Sequence, residues 1–268
     1  MITIVFGKPG AGKTAYMTAD AVKYMNGSEQ CLELLKASQA QVLRSGAFST
    51  PPFSPVYSNY RITAQHSYNK LRVSFYVDGF RLGFDNENLA VFHVPPCSRI
   101  YLAEAQRYYN SRQSRDFPEW VSRFFEEHRH FGLDIMMDVQ RPGLIDVNIR
   151  ELCERFVEML KLEHELDKSG NIVATTFIYR EFDDWKAVEK YLAGDLKVGA
   201  LCKERFEGNV FDHFESRSYF NVFLPPGNGD FNYIVHPIGD VDVEREYAWQ
   251  FYPQTAPEGF YPSKGKKQ

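Results

Sequence analysis

The stretch VFGKPGAGKT at residues 5–14 decides the fold, because it contains the pattern G-x-x-x-x-G-K-[ST] without a mismatch. The apolar run at residues 1–6 is typical of a buried strand, and residues 15–25 are typical of a helix. A strand, a glycine-rich turn and a helix in this order predict a loop that wraps the phosphates of a nucleotide. The alternative is an ordinary glycine-rich turn, which the placement between a strand and a helix disfavours.

Each residue type in this loop has a mechanical role in holding a triphosphate. Glycines let main-chain N–H groups approach the phosphates, and the amino end of the helix adds partial positive charge. Lys13 can reach the β- and γ-phosphates, and Thr14 can place its hydroxyl on a magnesium ion. Thr14 is therefore the predicted metal ligand, and the predicted ATP-binding residues are Gly7, Lys8, Pro9, Gly10, Ala11, Gly12, Lys13 and Thr14.

The composition of the 268 residues is that of an ordinary globular protein, with 44% hydrophobic and 25% charged residues. The net charge of −4 argues against a surface that coats nucleic acid, although it leaves room for a local basic stripe. Four widely separated cysteines without a C-x-x-C pair predict free thiols in a reducing cytosol. The chain starts directly on the predicted strand and has no apolar run long enough to span a bilayer, so we expect it to be soluble.

Further elements are expected along the chain from hydrophobic periodicity and turn residues. The predicted helices cover residues 29–43, 118–130, 144–150 and 183–191. The predicted strands cover residues 56–62, 99–102, 133–139, 156–165 and 172–182, with a hairpin over 71–84, and residues 90–94 are either another strand or the approach to the strand at 99–102. From Gly194 onward the chain is richer in glycine, proline and aromatic residues, so the predicted division is an ATPase domain at 1–193 and a smaller β-rich extension at 194–268.

The predicted strand at residues 99–102 is followed by a carboxylate, Glu104. In P-loop enzymes the corresponding strand ends in an aspartate that helps to hold magnesium, often followed by a glutamate that polarises the attacking water. Here Ala103 stands at the aspartate position and Glu104 at the glutamate position. Glu104 is therefore the candidate catalytic base, and the metal-holding carboxylate is missing from its usual place.

Three more candidate residues lie around the predicted strand at 133–139. Gln140 and Arg141 follow its carboxyl end, the edge at which ligands of open α/β sheets lie. Gln140 could sense the γ-phosphate or orient water, and the alternative is a structural turn. Arg129 lies between two histidines at the end of the preceding helix. It is either a cation for an active site or subunit boundary, or part of a solvated helix end.

Taken together, residues 7–14, 102–106, 127–135, 140–142 and 211–216 resemble the zonular occludens toxin (Zot) family, which includes a filamentous-phage assembly protein. The resemblance runs in order over roughly residues 1–216. It implies a P-loop NTPase of the additional-strand, catalytic-glutamate class, with a mainly parallel central sheet flanked by helices. Such a domain is related to DNA-pumping motors, and its implied cofactors are ATP and Mg²⁺.

The resemblance also implies a place and partners for the protein. We expect a motor at the cytoplasmic face of the inner membrane that supports assembly and export of single-stranded DNA phage, together with phage assembly or envelope proteins. Motors of this class are commonly homo-oligomeric rings, in which Arg129 or Arg141 would act across a subunit boundary. Single-stranded DNA is expected as an indirect partner. Direct handling would require a basic, aromatic-lined channel, and the sequence alone does not show whether Arg107, Arg112 and Arg115 line one.

Two departures from the family pattern bear on function. Ala103 replaces the usual aspartate, which is expected to weaken magnesium positioning and slow hydrolysis. No membrane segment is present, although the basic tail at 264–267 resembles the cytoplasmic flank of a spanning helix, so we expect one to follow. The rival function is a nucleotide-binding scaffold that does not hydrolyse ATP. A small-molecule phosphotransferase is disfavoured because the resemblance extends well past the loop.

Overall fold

A large twisted sheet with helices on both faces dominates the computed structural model, which describes residues 1–25, 56–60, 62–65, 71–73, 75–76, 98–112, 119–130 and 132–214. Its strands are β1 (Ile2–Phe6), β2 (Val56–Ser58), β3 (Thr63–Gln65), β4 (Leu71–Val73), β5 (Phe75–Tyr76), β6 (Arg99–Leu102), β7 (Asp134–Val139), β8 (Arg155–Leu166), β9 (Ile172–Phe182) and β10 (Ala200–Glu207). Its α-helices are α1 (Lys13–Met25), α2 (Glu119–Glu127), α3 (Val147–Glu151) and α4 (Trp185–Leu192).

The main sheet has the strand order β10-β9-β8-β1-β7-β6-β2-β5. Strand β1 lies between β8 and β7 and is parallel to both, and the pairs β6·β7, β2·β6 and β2·β5 are also parallel. Strands β8, β9 and β10 pair antiparallel at the other side. Because β7 is inserted between β1 and β6, the strand order is that of the additional-strand class. The predicted α/β fold with a mainly parallel sheet is confirmed.

Alternation along β1 explains how helices cover both faces of the sheet, since successive strand residues point to opposite sides. Ile4 and Phe6 belong to a buried cluster that includes Phe124 of α2 and Val188 of α4. Val5 belongs to a second cluster on the opposite face, formed largely with α1. All five residues of β1 are buried, as expected for a central strand of a parallel sheet.

Most predicted elements in the described residues are confirmed, with shifted ends. Helix α3 begins at Val147 because Asp146 caps it, accepting a hydrogen bond from the backbone N–H of Asn148 at 3.0 Å. Only part of the first arm of the predicted hairpin at 71–84 is described: it is split into β4, which pairs with β3, and β5, which joins the main sheet beside β2. The helix at 29–43, the strand at 90–94 and the remainder of that hairpin lie outside the described residues.

Strand β10 extends the same sheet instead of starting a separate one. Phe214 then returns to form a β-bridge with Ile62. The division at 193/194 stays a prediction, because residues 215–268 lie outside the described residues. In the described ranges no helix is long and apolar enough to cross a membrane. Cys153 and Cys202 are free thiols, as predicted, and the other two cysteines are not among the described residues.

Candidate functional site

The glycine-rich loop leaves β1 at its carboxyl end and lies against β8. Gly7 has φ of 141°, and a Cβ atom added there would lie 2.6 Å from the main-chain oxygen of Met159. No larger residue fits this approach without moving the strand behind it. Gly10 also has positive φ, 77°, but faces open space. The first glycine therefore sets the loop against the sheet, and the second leaves its outer side accessible.

Lys13 begins α1 and folds back over the loop. Its ammonium donates hydrogen bonds to the main-chain oxygens of Gly7 at 3.2 Å and Lys8 at 3.3 Å, and only 8% of the residue is exposed. The loop is closed by a further bond from the N–H of Ala11 to the oxygen of Lys8 at 3.1 Å. A buried ammonium at a helix amino terminus, held by two carbonyl oxygens, is a setting that favours an anionic ligand.

Asp138 joins the loop to the strand end that carries Glu104. The hydroxyl of Thr14 donates to Asp138 Oδ2 at 2.8 Å, and the backbone N–H of Glu104 donates to Oδ1 at 2.6 Å. Only 1% of Asp138 is exposed, and this burial raises the pKa of its carboxyl to about 6, although both donors act in the opposite direction. The sequence interpretation missed this residue. Its only signal was a charged residue near the end of an apolar strand.

Asn59 fixes the backbone at the end of β6. It accepts a hydrogen bond from the N–H of Ala103 at 2.8 Å and donates one to the oxygen of Ala103 at 2.8 Å. Its amide also donates to the hydroxyl of Tyr108 at 3.1 Å. These two hydrogen bonds hold the backbone of Ala103 in line with β6, beside Asp138. From the sequence we expected no metal-holding carboxylate at position 103. In the structure, the carboxylate of Asp138 on the neighbouring strand contacts Thr14 instead.

Glu104 turns the chain sharply away from β6. Its φ of 54° and ψ of 44° lie in the left-handed region, and among the described residues no other non-glycine residue has positive φ. This conformation costs roughly 1–2 kcal/mol for a residue with a side chain. The side-chain carboxylate accepts a hydrogen bond from the amide of Gln106. The turn aims the N–H of Glu104 at Asp138 and keeps its carboxylate at the same edge of the sheet as the loop.

Gln140 and Arg141 follow Asp138 at the carboxyl end of β7, and both are exposed. They lie on the edge of the sheet that carries the glycine-rich loop, because β1 and β7 are parallel and Val5 is opposite Asp138. The structure thus brings Lys13, Thr14 and Glu104 together around Asp138, with Gln140 two residues beyond it. Their roles in catalysis and sensing stay predictions.

Arg129 lies at the opposite edge of the sheet. Its guanidinium donates to the carboxylate of Glu154 at 3.2 Å, and the backbone N–H of Glu154 donates to the oxygen of Ile2, at the amino end of β1. The neighbouring His128 is buried, and this burial together with the nearby chain amino group lowers its pKa. Arg129 is therefore far along the strands from the loop of its own chain. Its predicted action on a neighbouring subunit stays a prediction.

A comparison with protein families identifies part of this region. Residues 97–165 match the family model described as zonular occludens toxin (Zot). The matching stretch contains β6, α2, β7 and α3, and with them both Glu104 and Asp138. The resemblance predicted from the sequence is confirmed over these residues. No curated protein matches the chain significantly.

Solved structures with similar chain traces are distant in sequence. The N-terminal domain of zonular occludens toxin from Neisseria meningitidis is 19% identical, with a TM-score of 0.46, covering 80% of this chain and 98% of that chain. The genome packaging NTPase B204 from Sulfolobus turreted icosahedral virus 2, in complex with ATP-gammaS, is 9% identical, with a TM-score of 0.34 and coverage of 78% and 97%. The fold class rests on the strand order and loop of the chain itself.

Proposed function

We propose that the chain binds ATP together with Mg²⁺ and hydrolyses it. The observation that carries this proposal is the contact of Asp138 with both Thr14 and Glu104, which gathers the end of the phosphate loop and the candidate base at one strand edge. The chemistry of the donor set fits the ligand. An ammonium and the N–H groups of a helix start suit phosphates, and a hydroxyl beside a carboxylate suits magnesium.

In the proposed mechanism each residue acts at a stated place. Lys13, now held by two loop carbonyl oxygens, turns to the β- and γ-phosphates. Thr14 would hold Mg²⁺, which when bound would neutralise charge on the phosphates. The carboxylate of Glu104 would accept the proton of the water that attacks the γ-phosphorus, while the bond from the γ-phosphorus to the β–γ bridging oxygen breaks and ADP leaves. Gln140, exposed at the end of β7, orients that water or senses the γ-phosphate.

At the level of the cell, we propose a motor domain that supports assembly and export of filamentous single-stranded DNA phage at the cytoplasmic face of the inner membrane. The Zot match at residues 97–165 supports this proposal. The proposed partners are further copies of the chain in a ring and phage assembly or envelope proteins. Single-stranded DNA would be handled indirectly. Arg129 or Arg141, both exposed, would complete the site of a neighbour.

The rival function is a nucleotide-binding scaffold without turnover, which the alanine at position 103 favours. Steady-state hydrolysis of Mg²⁺-ATP at several protein concentrations separates the two. A motor shows turnover that rises with concentration, is abolished by Lys13→Ala and falls at least about a hundredfold in Glu104→Gln, since a positioned base contributes that much. Tight ATP binding with no turnover in the wild type at any concentration would overturn the motor and support the scaffold.

A mixing experiment tests the arginines. If a neighbour supplies the arginine, Arg141→Ala or Arg129→Ala subunits are inactive alone but regain turnover when mixed with Lys13→Ala subunits, because each partner supplies what the other lacks. Arg123, an exposed arginine of α2, provides the control substitution Arg123→Ala. If both single variants keep wild-type turnover per subunit in the assembled state, neither arginine acts across the boundary.

A further inference from the structure

Asp138 lies beside the strand position from which P-loop enzymes supply a magnesium carboxylate. That position directly precedes the catalytic glutamate, and here it is Ala103. Strands β6 and β7 are parallel, with Leu102 opposite Met137, so the next residue on each strand brings Ala103 beside Asp138. Adjacent strands are about 4.8 Å apart. A carboxylate can therefore reach the same space from either strand.

The side chains at these two positions also share a face of the sheet. Tyr101 and Met136 belong to the buried cluster on the α1 face, and Ala103 packs against that cluster. Asp138 comes two residues after Met136 and therefore points to the same side. Helix α1 begins on this side, and its Thr14 contacts Asp138 directly. The carboxylate is thus on the face where the loop would present a metal-bound triphosphate.

The hydrogen bonds of Asp138 orient both of its oxygens. Oδ2 accepts from Thr14, whose hydroxyl is the group that binds magnesium in P-loop enzymes, and Oδ1 accepts from the N–H of Glu104. Magnesium in such sites takes a hydroxyl, phosphate oxygens, waters and one or two carboxylates. Asp138 already contacts the hydroxyl of Thr14, so its carboxylate can bind the same magnesium ion from β7, directly or through a water.

The charges around Asp138 also favour a bound cation at this position. Among the described residues, no lysine or arginine nitrogen forms an ion pair with its carboxylate, and Lys13 is the cation whose charge acts on it. A carboxylate that is buried without a paired charge destabilises the folded state. A sheet built only for stability would place an apolar residue there, as at Met137 and Val139 on either side. A bound divalent cation would compensate the buried charge.

We propose that Asp138 supplies, from β7, the magnesium-binding carboxylate that other P-loop enzymes supply from the strand carrying the catalytic glutamate. The inference rests on the proposed nucleotide-binding function and deepens it. Ala103 then marks a relocation of the carboxylate to the neighbouring strand. The loss of magnesium positioning expected from the sequence does not follow, because the charge is present one strand away.

Nucleotide binding, measured without turnover, tests this assignment. A fluorescent ATP analogue is titrated into the protein in excess EDTA and again at increasing Mg²⁺. Asp138→Asn is expected to bind the metal-free analogue as well as or better than wild type, because a negative charge near the phosphates is gone. Its Mg²⁺ concentration for half-maximal enhancement of binding should rise about tenfold or more, the usual scale for losing such a partner of a metal site.

Two further variants sharpen the result. Ala103→Asp combined with Asp138→Asn returns a carboxylate to the other strand and should restore the wild-type Mg²⁺ requirement. Asp146→Asn is the control, because Asp146 is equally buried but caps α3. Asp138→Thr is a second variant without the carboxylate if the asparagine variant does not fold. EPR of Mn²⁺ in place of Mg²⁺ gives an independent measure of metal affinity in each nucleotide complex.

The outcomes separate the assignment from the function it rests on. A Mg²⁺ requirement in Asp138→Asn no higher than in Asp146→Asn overturns the role of Asp138 while leaving nucleotide binding intact. Failure of the double variant to restore the requirement also overturns it, because relocation demands that the two positions be exchangeable. If wild type binds the analogue neither in EDTA nor in Mg²⁺, the proposed function fails, and the assignment fails with it.

Discussion

Replacing Glu104 by glycine and by alanine measures the backbone strain at the candidate base. Both variants lose the same carboxylate and its contact with Gln106, so their difference isolates the main chain. With φ of 54° and ψ of 44°, the position favours glycine over a residue with a Cβ atom by roughly 1–2 kcal/mol. Glycine loses some of this advantage through its freer unfolded chain, about 0.5–1 kcal/mol. We expect Glu104→Gly to be more stable than Glu104→Ala by about 1 kcal/mol.

Urea unfolding followed by tryptophan fluorescence gives the two free energies of unfolding, measured without nucleotide or metal. Glu189 supplies the matched control, because it is an exposed glutamate inside helix α4 with ordinary helical geometry. There the order should reverse, with Glu189→Ala more stable than Glu189→Gly by about 0.5–1 kcal/mol. If alanine is also the more stable replacement at position 104, the left-handed conformation and the strain argument are refuted.

Two further predictions concern the loop and Asp138. In the same urea assay, Gly7→Ala should lower the free energy of unfolding by several kcal/mol more than Gly10→Ala, because only a Cβ at position 7 meets the backbone of Met159. Equal effects of the two substitutions would contradict the close approach of Gly7 to β8. Burial raises the pKa of Asp138 from 3.8 to about 6, so the metal-free protein loses about 3 kcal/mol of stability as pH rises from 3 to 7, because between these two pKa values the unfolded carboxyl is ionised while the folded carboxyl still holds its proton. Asp138→Asn should therefore gain stability relative to wild type as pH rises through that window, and a pH-independent difference would disprove it. Asp167→Asn should show the opposite trend, because hydrogen bonds from Asn171 lower the pKa of Asp167.

The features that sequence alone predicted are those whose chemistry is contained in a short stretch. The strand, loop and helix at residues 2–25 follow one another directly, so their residues specify both the conformation and the ligand. The strands β8 and β9 were predicted for the same reason, because the turn between them is also local: Asp167 accepts the N–H groups that form it. The first arm of the hairpin predicted at 71–84 is split between two sheets, which alternation did not show, because a period of two indicates a strand without indicating its partner.

The features that sequence missed depend on which strands are neighbours. Thr14 and Asp138 are 124 residues apart, and their contact requires β7 to lie directly beside β1. Asn59 clamps Ala103 only because β2 lies beside β6. The placement of Arg129 could have been inferred. A residue between a helix and the start of the next parallel strand lies at the amino edge of the sheet, opposite the phosphate loop.

The strand order finally changes what should be expected of restoring the aspartate at position 103. From the sequence, Ala103→Asp repairs a defect and should raise turnover. In the structure it places a second carboxylate on the strand beside Asp138, about 4.8 Å away and on the same buried face. Two carboxylates in such a site repel each other, and one of them takes up a proton.

We therefore expect Ala103→Asp alone to be less stable than wild type in the absence of metal, with a deficit that grows as pH rises from 5 to 8. Mg²⁺ with nucleotide should reduce this deficit, because a divalent cation between two carboxylates removes the repulsion. Urea unfolding at pH 5 and pH 8, with and without the metal complex, measures both effects. If Ala103→Asp were as stable as wild type at pH 8 without metal, the two positions would not share one site, and the carboxylate of Asp138 could not replace the one absent at Ala103.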